Sequence, residues 1–201
     1  MVKILAASDL HGDAQLSERL AKKALDNNVE LVIIAGDLTI GDMPSPGLIA
    51  PFQMAGLKVL IIPGNHDSFN TLYDITLLYD KVKSLHANNH VHGEIGFFGS
   101  HGTQLGFIGS SNSEIEDILT KSHSDISGLK KRVMVVHEPP HGTKLDNIGF
   151  SIGNKGVRNA VEKLRPDLVI CGHVHETFGL SDYMGPSKII NAGREGVIID
   201  L

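Results

Sequence analysis

Short apolar segments recur along the chain, and most of them stop at a polar cluster. Each segment is a run of aliphatic residues in which apolar and polar positions do not alternate. Runs of this kind indicate β-strands that are buried on both faces, as in parallel sheets. The predicted strands are VKILAAS (2–8), LVIIAG (31–36), KVLIIPG (58–64), RVMVV (132–136) and DLVICG (167–172).

Two segments between these strands show helical spacing. The first predicted helix has Asp13 as its N-cap, and Pro166 ends the second. Their apolar stripes consist of Leu16, Leu20, Ala24 and Leu25 and of Val157, Ala160, Val161 and Leu164. With no internal repeat, low-complexity segment or linker, residues 1–201 are expected to form a single mixed α/β domain.

The middle and the end of the chain show a different pattern. HVHGEIGFFGS and TQLGFIGS, within residues 90–110, predict two antiparallel strands that are joined by a tight turn at SHG. The tail SKIINAGREGVIIDL predicts two more short strands around a glycine turn.

Composition limits the classes of partner. The formal net charge is −5, and the longest basic run is KKR at 130–132, so we expect neither a long nucleic acid nor an anionic membrane as partner. The single cysteine, Cys171, fits a reducing compartment and a buried apolar position. The apolar start of the chain is too short to span a membrane, and a cytoplasmic location is expected. The oligomeric state stays open.

The polar residues that follow the predicted strands carry the chemistry. In open α/β sheets, ligands gather outside the carboxyl ends of the strands. Asp and Asn oxygens with His nitrogens suit first-row divalent metals, and the absence of a thiolate argues against a structural zinc cluster. The residues at these ends are Asp9, His11, Asp37, Asn65, His66, Asp67, His137, His173 and His175.

Each of these motifs alone has an ordinary explanation. One Asp-X-His is expected by chance about once in a chain of this size. Gly36-Asp37 and the sequence GNHD at 64–67 are also common turn sequences, and a single His137 is more often a core or surface residue. Five strands that all end in metal-competent residues are hard to obtain from turn chemistry, so the joint pattern favours a metal site.

His-Val-His occurs twice, at 90–92 and at 173–175. The second copy follows a buried strand, where Gly172 lets the backbone turn and alternate residues can face one site. The first copy follows two asparagines, which predicts a solvated strand edge. We therefore assign metal binding to His173 and His175, and not to His90 and His92.

The ordered set D-L-H, G-D, G-N-H-D, H and G-H-V-H over residues 9–175 resembles the calcineurin-like metallophosphoesterase superfamily. HEPPHGTKLD and GHVHE further resemble its small, cyclic-nucleotide phosphodiesterase-like branch. The resemblance implies a four-layer α-β-β-α sandwich with mixed sheets and two divalent metals, drawn from Mn, Fe, Zn, Ni or Co with Mn favoured. It implies that Asp9, His11 and His175 hold one metal, that Asn65, His137 and His173 hold the other, and that Asp37 bridges both.

The same resemblance implies hydrolysis of a small phosphodiester, with a cyclic nucleotide as one possibility, by a metal-activated hydroxide. His66 would contact the substrate and act as the acid, with Asp67 as its orienting partner. A phosphomonoesterase is the alternative, followed by a non-catalytic scaffold or a nuclease. His141 either lines the substrate pocket or faces solvent. Arg194, His86, His101 and His123 are expected at the surface.

Overall fold

The computed structural model describes residues 1–43, 45–102, 104–105 and 108–201, and the side chains of all of these except 104, 105, 108 and 109. The helices are α1 (Ala14–Asp26), α2 (Ala50–Met54), α3 (Phe69–Leu78), α4 (Asn112–Ser124) and α5 (Lys155–Leu164). The strands are β1 (Lys3–Ala7), β2 (Leu31–Ala35), β3 (Lys58–Ile62), β4 (Val82–Ser84), β5 (Asn89–His92), β6 (Ile95–Ser100), β7 (Gln104–Leu105), β8 (Ile108–Gly109), β9 (Lys131–Val136), β10 (Leu168–Cys171), β11 (Ser181–Met184), β12 (Ser187–Asn191) and β13 (Val197–Asp200). Two short 3-10 helices cover Lys144–Asp146 and His175–Thr177.

The strands form two mixed sheets and a small hairpin. The five-stranded sheet has the order β13-β1-β2-β3-β4, in which only β13 is antiparallel to its neighbour. The six-stranded sheet has the order β11-β12-β10-β9-β6-β5, with a parallel centre and antiparallel strands at both edges. β7 pairs with β8.

The expected four layers follow from how successive strand residues are divided between two faces. In β1, Ile4 packs between the two sheets, whereas Leu5 packs under the helices that cover the five-stranded sheet. In β9, Val133 enters the same central layer, whereas Met134 packs against α4 and α5. Both faces of the central strands are therefore buried, which is why these strands show no polar alternation.

The predicted helix signals are confirmed. The Asp13 carboxylate accepts a hydrogen bond from Leu16 N at 2.9 Å and caps α1. α5 ends at Leu164, and its C-cap Arg165 directly precedes Pro166. In α1, Leu25 belongs to the predicted apolar stripe, but its side chain is 53% exposed, so it is not part of the buried face. No described helix has both the length and the apolar character that a membrane crossing requires.

One predicted pairing is wrong, and the two predicted tail strands form. β6 is flanked by β5 and β9, so the strand at 90–100 does not pair with the following segment, part of which (103, 106 and 107) lies outside the described residues. The two tail strands, β12 and β13, form but belong to different sheets. The connection between them therefore crosses from one sheet of the sandwich to the other, which local sequence cannot indicate.

Candidate metal centre

The carboxyl ends of β1, β2 and β3 lie side by side in one sheet, and those of β9 and β10 lie side by side in the other. The loops that follow are bonded to each other. The backbone N–H of His11 donates to the carbonyl of Asp37 at 2.9 Å, and that of Gly172 donates to the carbonyl of His137 at 2.9 Å. The sandwich thereby brings the predicted ligands to one edge.

Four of the predicted ligands have left-handed backbone conformations. Asp9, His11, Asp37 and His173 have φ values of 56°, 47°, 53° and 68°. A non-glycine residue in this region costs on the order of 1–3 kcal/mol and persists only where surrounding structure holds it. A concentration of such strain at one edge is typical of a functional site.

Gly172 has a different role from the one expected. The positive φ falls on His173, and a Cβ atom at Gly172 would collide with Ser8 and with the Asp9 carboxylate. Gly172 therefore permits close approach of β10 to the loop after β1. The backbone N–H of His173 uses this proximity to donate to Asp9 Oδ2 at 3.0 Å.

Asp9, His11 and His175 form one group of metal-competent atoms. Nε2 of His175 lies 3.5 Å and Nε2 of His11 lies 3.9 Å from Asp9 Oδ1. Asp9 is fully buried, and its Oδ1 has no hydrogen-bond partner among the described residues. An unpartnered buried carboxylate oxygen is costly, and a divalent cation would satisfy it.

His137, Asn65 and Asp37 form a second group. His137 Nδ1 is 2.9 Å from the carbonyl oxygen of Ala35 and donates its proton there. Its Nε2 then lies 3.0 Å from Asn65 Oδ1 and 3.4 Å from Asp37 Oδ2. The ring of His173 meets the ring of His137 edge-on, with centroids 5.0 Å apart.

Electrostatic interaction between Asp37 and His137 shifts the pKa values of both residues. Burial alone would raise the pKa of Asp37, but the hydrogen bond and charge of His137 lower that pKa to about 2. Burial alone would lower the pKa of His137, but Asp37 raises it to about 9. A divalent cation bound here would displace the His137 proton, because a metal-bound imidazole is neutral.

The donor set fits divalent metal ions. Three overlapping triads, Asp9-His11-His175, His11-Asp37-His66 and Asp9-Asp37-His137, each have ligand atoms within 4.8 Å of one another. All donors are oxygens or imidazole nitrogens, which suit first-row divalent ions. Asp9, His11 and Asp37 each belong to two of the triads, so the triads form one connected cluster.

His66 lies beside this cluster, with its ring edge-on to that of His11 at 5.0 Å. Its backbone N–H donates to Asp37 Oδ1 at 2.9 Å, and its Nδ1 accepts a long hydrogen bond from Gly41 N at 3.3 Å. A neutral His66 therefore carries its proton on Nε2.

Asp67 does not make the contact with His66 that we expected. Its two oxygens accept hydrogen bonds from the backbone of Leu38, Thr39 and Gly64 and from the Thr39 hydroxyl, at 2.8–3.0 Å. Asp67 is almost fully buried, so these donors satisfy it. In this structure Asp67 ties the loop after β3 to the loop after β2, and it orients His66 through the backbone.

His141 is half-exposed and belongs to another cluster. Its Nδ1 is 2.9 Å from the Ser151 hydroxyl, which donates in turn to Asp146. The nearby 3-10 helix Lys144–Asp146 contacts the one that begins at His175, through Thr177 Oγ1 and the carbonyl of Leu145 at 2.9 Å. The loop that carries His141 thus supports the metal edge, while its substrate role stays a prediction.

The remaining assignments are mixed. Cys171 is buried, as predicted. β5, which carries His90 and His92, is an edge strand, but the prediction of a solvated His90 is wrong: His90 is only partly exposed, and its Nε2 is buried with no hydrogen-bond partner among the described residues. His92 pairs with Glu30 at 3.3 Å. The surface assignment is wrong for His101 and His123, which are 2% and 7% exposed, and His86 and Arg194 are only partly exposed. Arg194 pairs with Asp13 at 3.0 Å.

Glu138 is a site neighbour that the sequence did not single out. It follows His137, is 6% exposed and accepts a hydrogen bond from Asn154 Nδ2 at 2.6 Å. The sequence feature that could have indicated Glu138 is its position directly after the predicted ligand His137.

A profile of the calcineurin-like phosphoesterase family matches residues 2–177. This match covers most of the chain, so the chain belongs to that family, whose members are hydrolases. A search of curated proteins gave no match.

Solved structures show the same fold at low sequence identity. The protein TT1561 of Thermus thermophilus is 16% identical with a TM-score of 0.78, over 99% of this chain and 98% of that one. A dimetal phosphatase from Danio rerio is 13% identical with a TM-score of 0.63, over 94% and 86% of the two chains. An archaeal phosphodiesterase is 19% identical with a TM-score of 0.53, over 96% and 84%.

Proposed function

We propose that this phosphoesterase hydrolyses a small phosphodiester and depends on two divalent metal ions, with Mn²⁺ as the favoured ion. The observation that carries the proposal is the buried Asp9 Oδ1, which has no hydrogen-bond partner among the described residues and lies 3.5 Å and 3.9 Å from two imidazole nitrogens. Bound cations would supply positive charge for the phosphoryl oxygens and lower the pKa of a water molecule.

The proposed ligand roles follow the two groups. Asp9, His11 and His175 hold one ion; Asn65, His137 and His173 hold the other; Asp37 serves both. The Ala35 carbonyl holds the proton of His137 Nδ1, so Nε2, which faces Asn65 and Asp37, is the nitrogen that would bind an ion. Asn65 adds an oxygen without adding negative charge, which keeps the site attractive to an anionic ester.

His66 is the proposed acid. The hydrogen bond from its backbone to Asp37 keeps the ring next to the metal edge. A neutral ring donates Nε2–H to a phosphoryl oxygen and stabilises the charge that develops there. To protonate a leaving alkoxide, the ring must be an imidazolium with a proton on Nδ1 as well, so the 3.3 Å contact with Gly41 N must open. Asp67 is a positioning residue, since it holds the loop that carries His66.

A diester makes the strongest use of this arrangement, because its alkoxide leaving group gains most from a positioned acid. A cyclic nucleotide is one such ester, in keeping with the resemblance of HEPPHGTKLD to the cyclic-nucleotide branch. We also propose that residues 1–201 act as a single domain, because the central apolar layer draws on both sheets.

The test is hydrolysis of bis-p-nitrophenyl phosphate and p-nitrophenyl phosphate by metal-stripped protein, with and without Mn²⁺. We expect turnover to return with Mn²⁺ and to favour the diester. Preference for the monoester would make the protein a phosphomonoesterase. No turnover of either ester with Mn²⁺, Ni²⁺, Co²⁺ or Zn²⁺ would contradict the proposal.

A further inference from the structure

Two histidines outside the proposed metal centre lie at the same edge of the sandwich. His86 follows β4, which is the neighbour of β3, and His101 follows β6, which is the neighbour of β9. In each sheet, one more strand therefore ends in a histidine at the edge that carries the proposed metal ligands. The two rings meet across the sheets, with their Nδ1 atoms 3.2 Å apart.

Hydrogen bonds fix the proton positions of this pair. The backbone N–H of His101 donates to Nδ1 of His86 at 3.2 Å, so a neutral His86 carries its proton on Nε2. His101 Nε2 lies 2.8 Å from the Ser110 hydroxyl, which can donate to it. Burial, and then the charge of His101, lower the pKa of His86 to about 4, so its ring is neutral at pH 7. Among the described residues, nothing hydrogen-bonds to Nε2 of His86.

Phe69 connects this pair to the loop that carries His66. Its ring stacks on His86 at 4.6 Å and 29°, and it meets His101 edge-on at 5.3 Å. Phe69 is the first residue of α3 and follows His66 by three positions. Their Cα atoms are therefore no more than about 11 Å apart.

A groove of about 400 Å³ opens between α3 and β4 beside these rings. Such a volume suits a small organic ligand. Aromatic, aliphatic, hydroxyl, amide and imidazole residues line the groove, and no charged side chain of the described residues does. Its lining includes Pro63, Phe69, Asn70, Tyr73, Ser84 and His86.

We propose that this groove binds a nucleobase of the phosphate ester, stacked against Phe69 and Tyr73, with a ring nitrogen or carbonyl accepting Nε2–H of His86. A neutral groove does not suit a second phosphate, and its aromatic faces suit a planar ring. The substrate class would then be nucleotides, in which the ribose spans from the groove to the metal edge. This inference rests on the proposed function.

Calorimetry on the Mn²⁺-loaded protein tests the assignment with two ligands that differ only in the base. We expect adenosine 5′-monophosphate to bind at least about fivefold more tightly than ribose 5-phosphate, the gain typical of one stacked base. Phe69→Ala and Tyr73→Ala should abolish most of this difference. Leu77→Ala is the matched control, since Leu77 lies on the same helix, is exposed and does not line the groove.

Several outcomes would overturn the assignment. These are equal binding of the two ligands, no binding of either, or a difference that survives both groove substitutions. If Tyr73 strengthened the binding of phenyl phosphate but not that of the nucleotide, the groove would be a site for a simple aryl group and not for a nucleobase.

Hydrolysis of bis-p-nitrophenyl phosphate by the same protein separates the two proposals. Metal-dependent turnover, together with equal binding of the nucleotide and the sugar phosphate, refutes the nucleobase groove and leaves the proposed function standing. A base effect without metal-dependent turnover supports the groove as a nucleotide site and refutes the proposed function.

Discussion

Nε2 of His137 lies 3.0 Å from Oδ1 of Asn65, and this contact joins the ends of two strands from different sheets. His137 follows β9 of the six-stranded sheet, and Asn65 follows β3 of the five-stranded sheet. The His137 ring reaches across the sandwich and also donates to the carbonyl of Ala35. The proposed metal centre is therefore built between the two sheets and depends on how they are packed together.

Asn65→Ala tests this bridge, because Asn65 is only partly buried and its loss should leave the fold intact. We expect the rate of Mn²⁺-dependent hydrolysis to fall by at least about 100-fold, the upper end of the effect of removing an outer-shell partner. Steady-state kinetics and a thermal melt measure the two effects. His92→Ala, in the other His-Val-His pair, should keep full activity. An active Asn65→Ala together with an inactive His92→Ala would reverse the assignment of the two sites.

Metal binding should stabilise the fold, since the site exists only in the folded chain. Each site that Mn²⁺ fills at about 100 times its Kd should add about 2.7 kcal/mol to the free energy of unfolding. At roughly 2–4 °C per kcal/mol for a chain of this size, the melting temperature should rise by about 5–10 °C over that in EDTA for each site that is filled. Asp9→Asn should show a smaller rise. An equal rise in wild type and variant would place the ion elsewhere.

Gly172→Ala tests the close approach of β10 to Asp9. The added methyl group would collide with Ser8 and the Asp9 carboxylate, so we expect a loss of about 1–3 kcal/mol in the free energy of unfolding. Gly128→Ala is the control, because a Cβ there meets no atom within 4 Å and its φ is ordinary. Urea denaturation of both should show Gly128→Ala within about 0.5 kcal/mol of wild type. Equal stabilities would mean that the contact at Gly172 relaxes freely.

Much of the site could be predicted from the sequence, because buried parallel strands give uninterrupted aliphatic runs whose ends share one edge. That pattern is enough to place Asp9, Asp37 and Asn65 together. The pattern did not indicate His86 as a residue of this edge, because β4 has only three residues and gives no recognisable aliphatic run. It misjudged His101, because its environment depends on contacts between the two sheets. The partners of Asp67 were missed for a similar reason, since they come mainly from the loop after β2.

Acid should destabilise the protein partly through its neutral histidines. Burial is the main cause that lowers the pKa of both His86 and His90 to about 4, with the nearby Lys58 also acting on His90. Unfolding returns both to about 6.5, so the unfolded chain binds more protons between these values. Their contribution to stability is complete above about pH 6.5 and is lost as the pH falls toward about 4.

Urea denaturation in EDTA at several pH values measures this effect. His86→Gln should lose less stability than wild type between about pH 6.5 and 4.5, and the two proteins should change nearly equally between about pH 7 and 8. An identical loss of stability in wild type and variant over this pH range would show that the pKa of His86 is the same in the folded and the unfolded protein.

The most direct test of the metal centre is an anomalous difference map from crystals grown with Mn²⁺. We predict two peaks for each chain, one beside Asp9, His11 and His175 and one beside Asn65, His137 and His173, with Asp37 next to both. No peak at this edge, or peaks only beside His90 and His92, would contradict it.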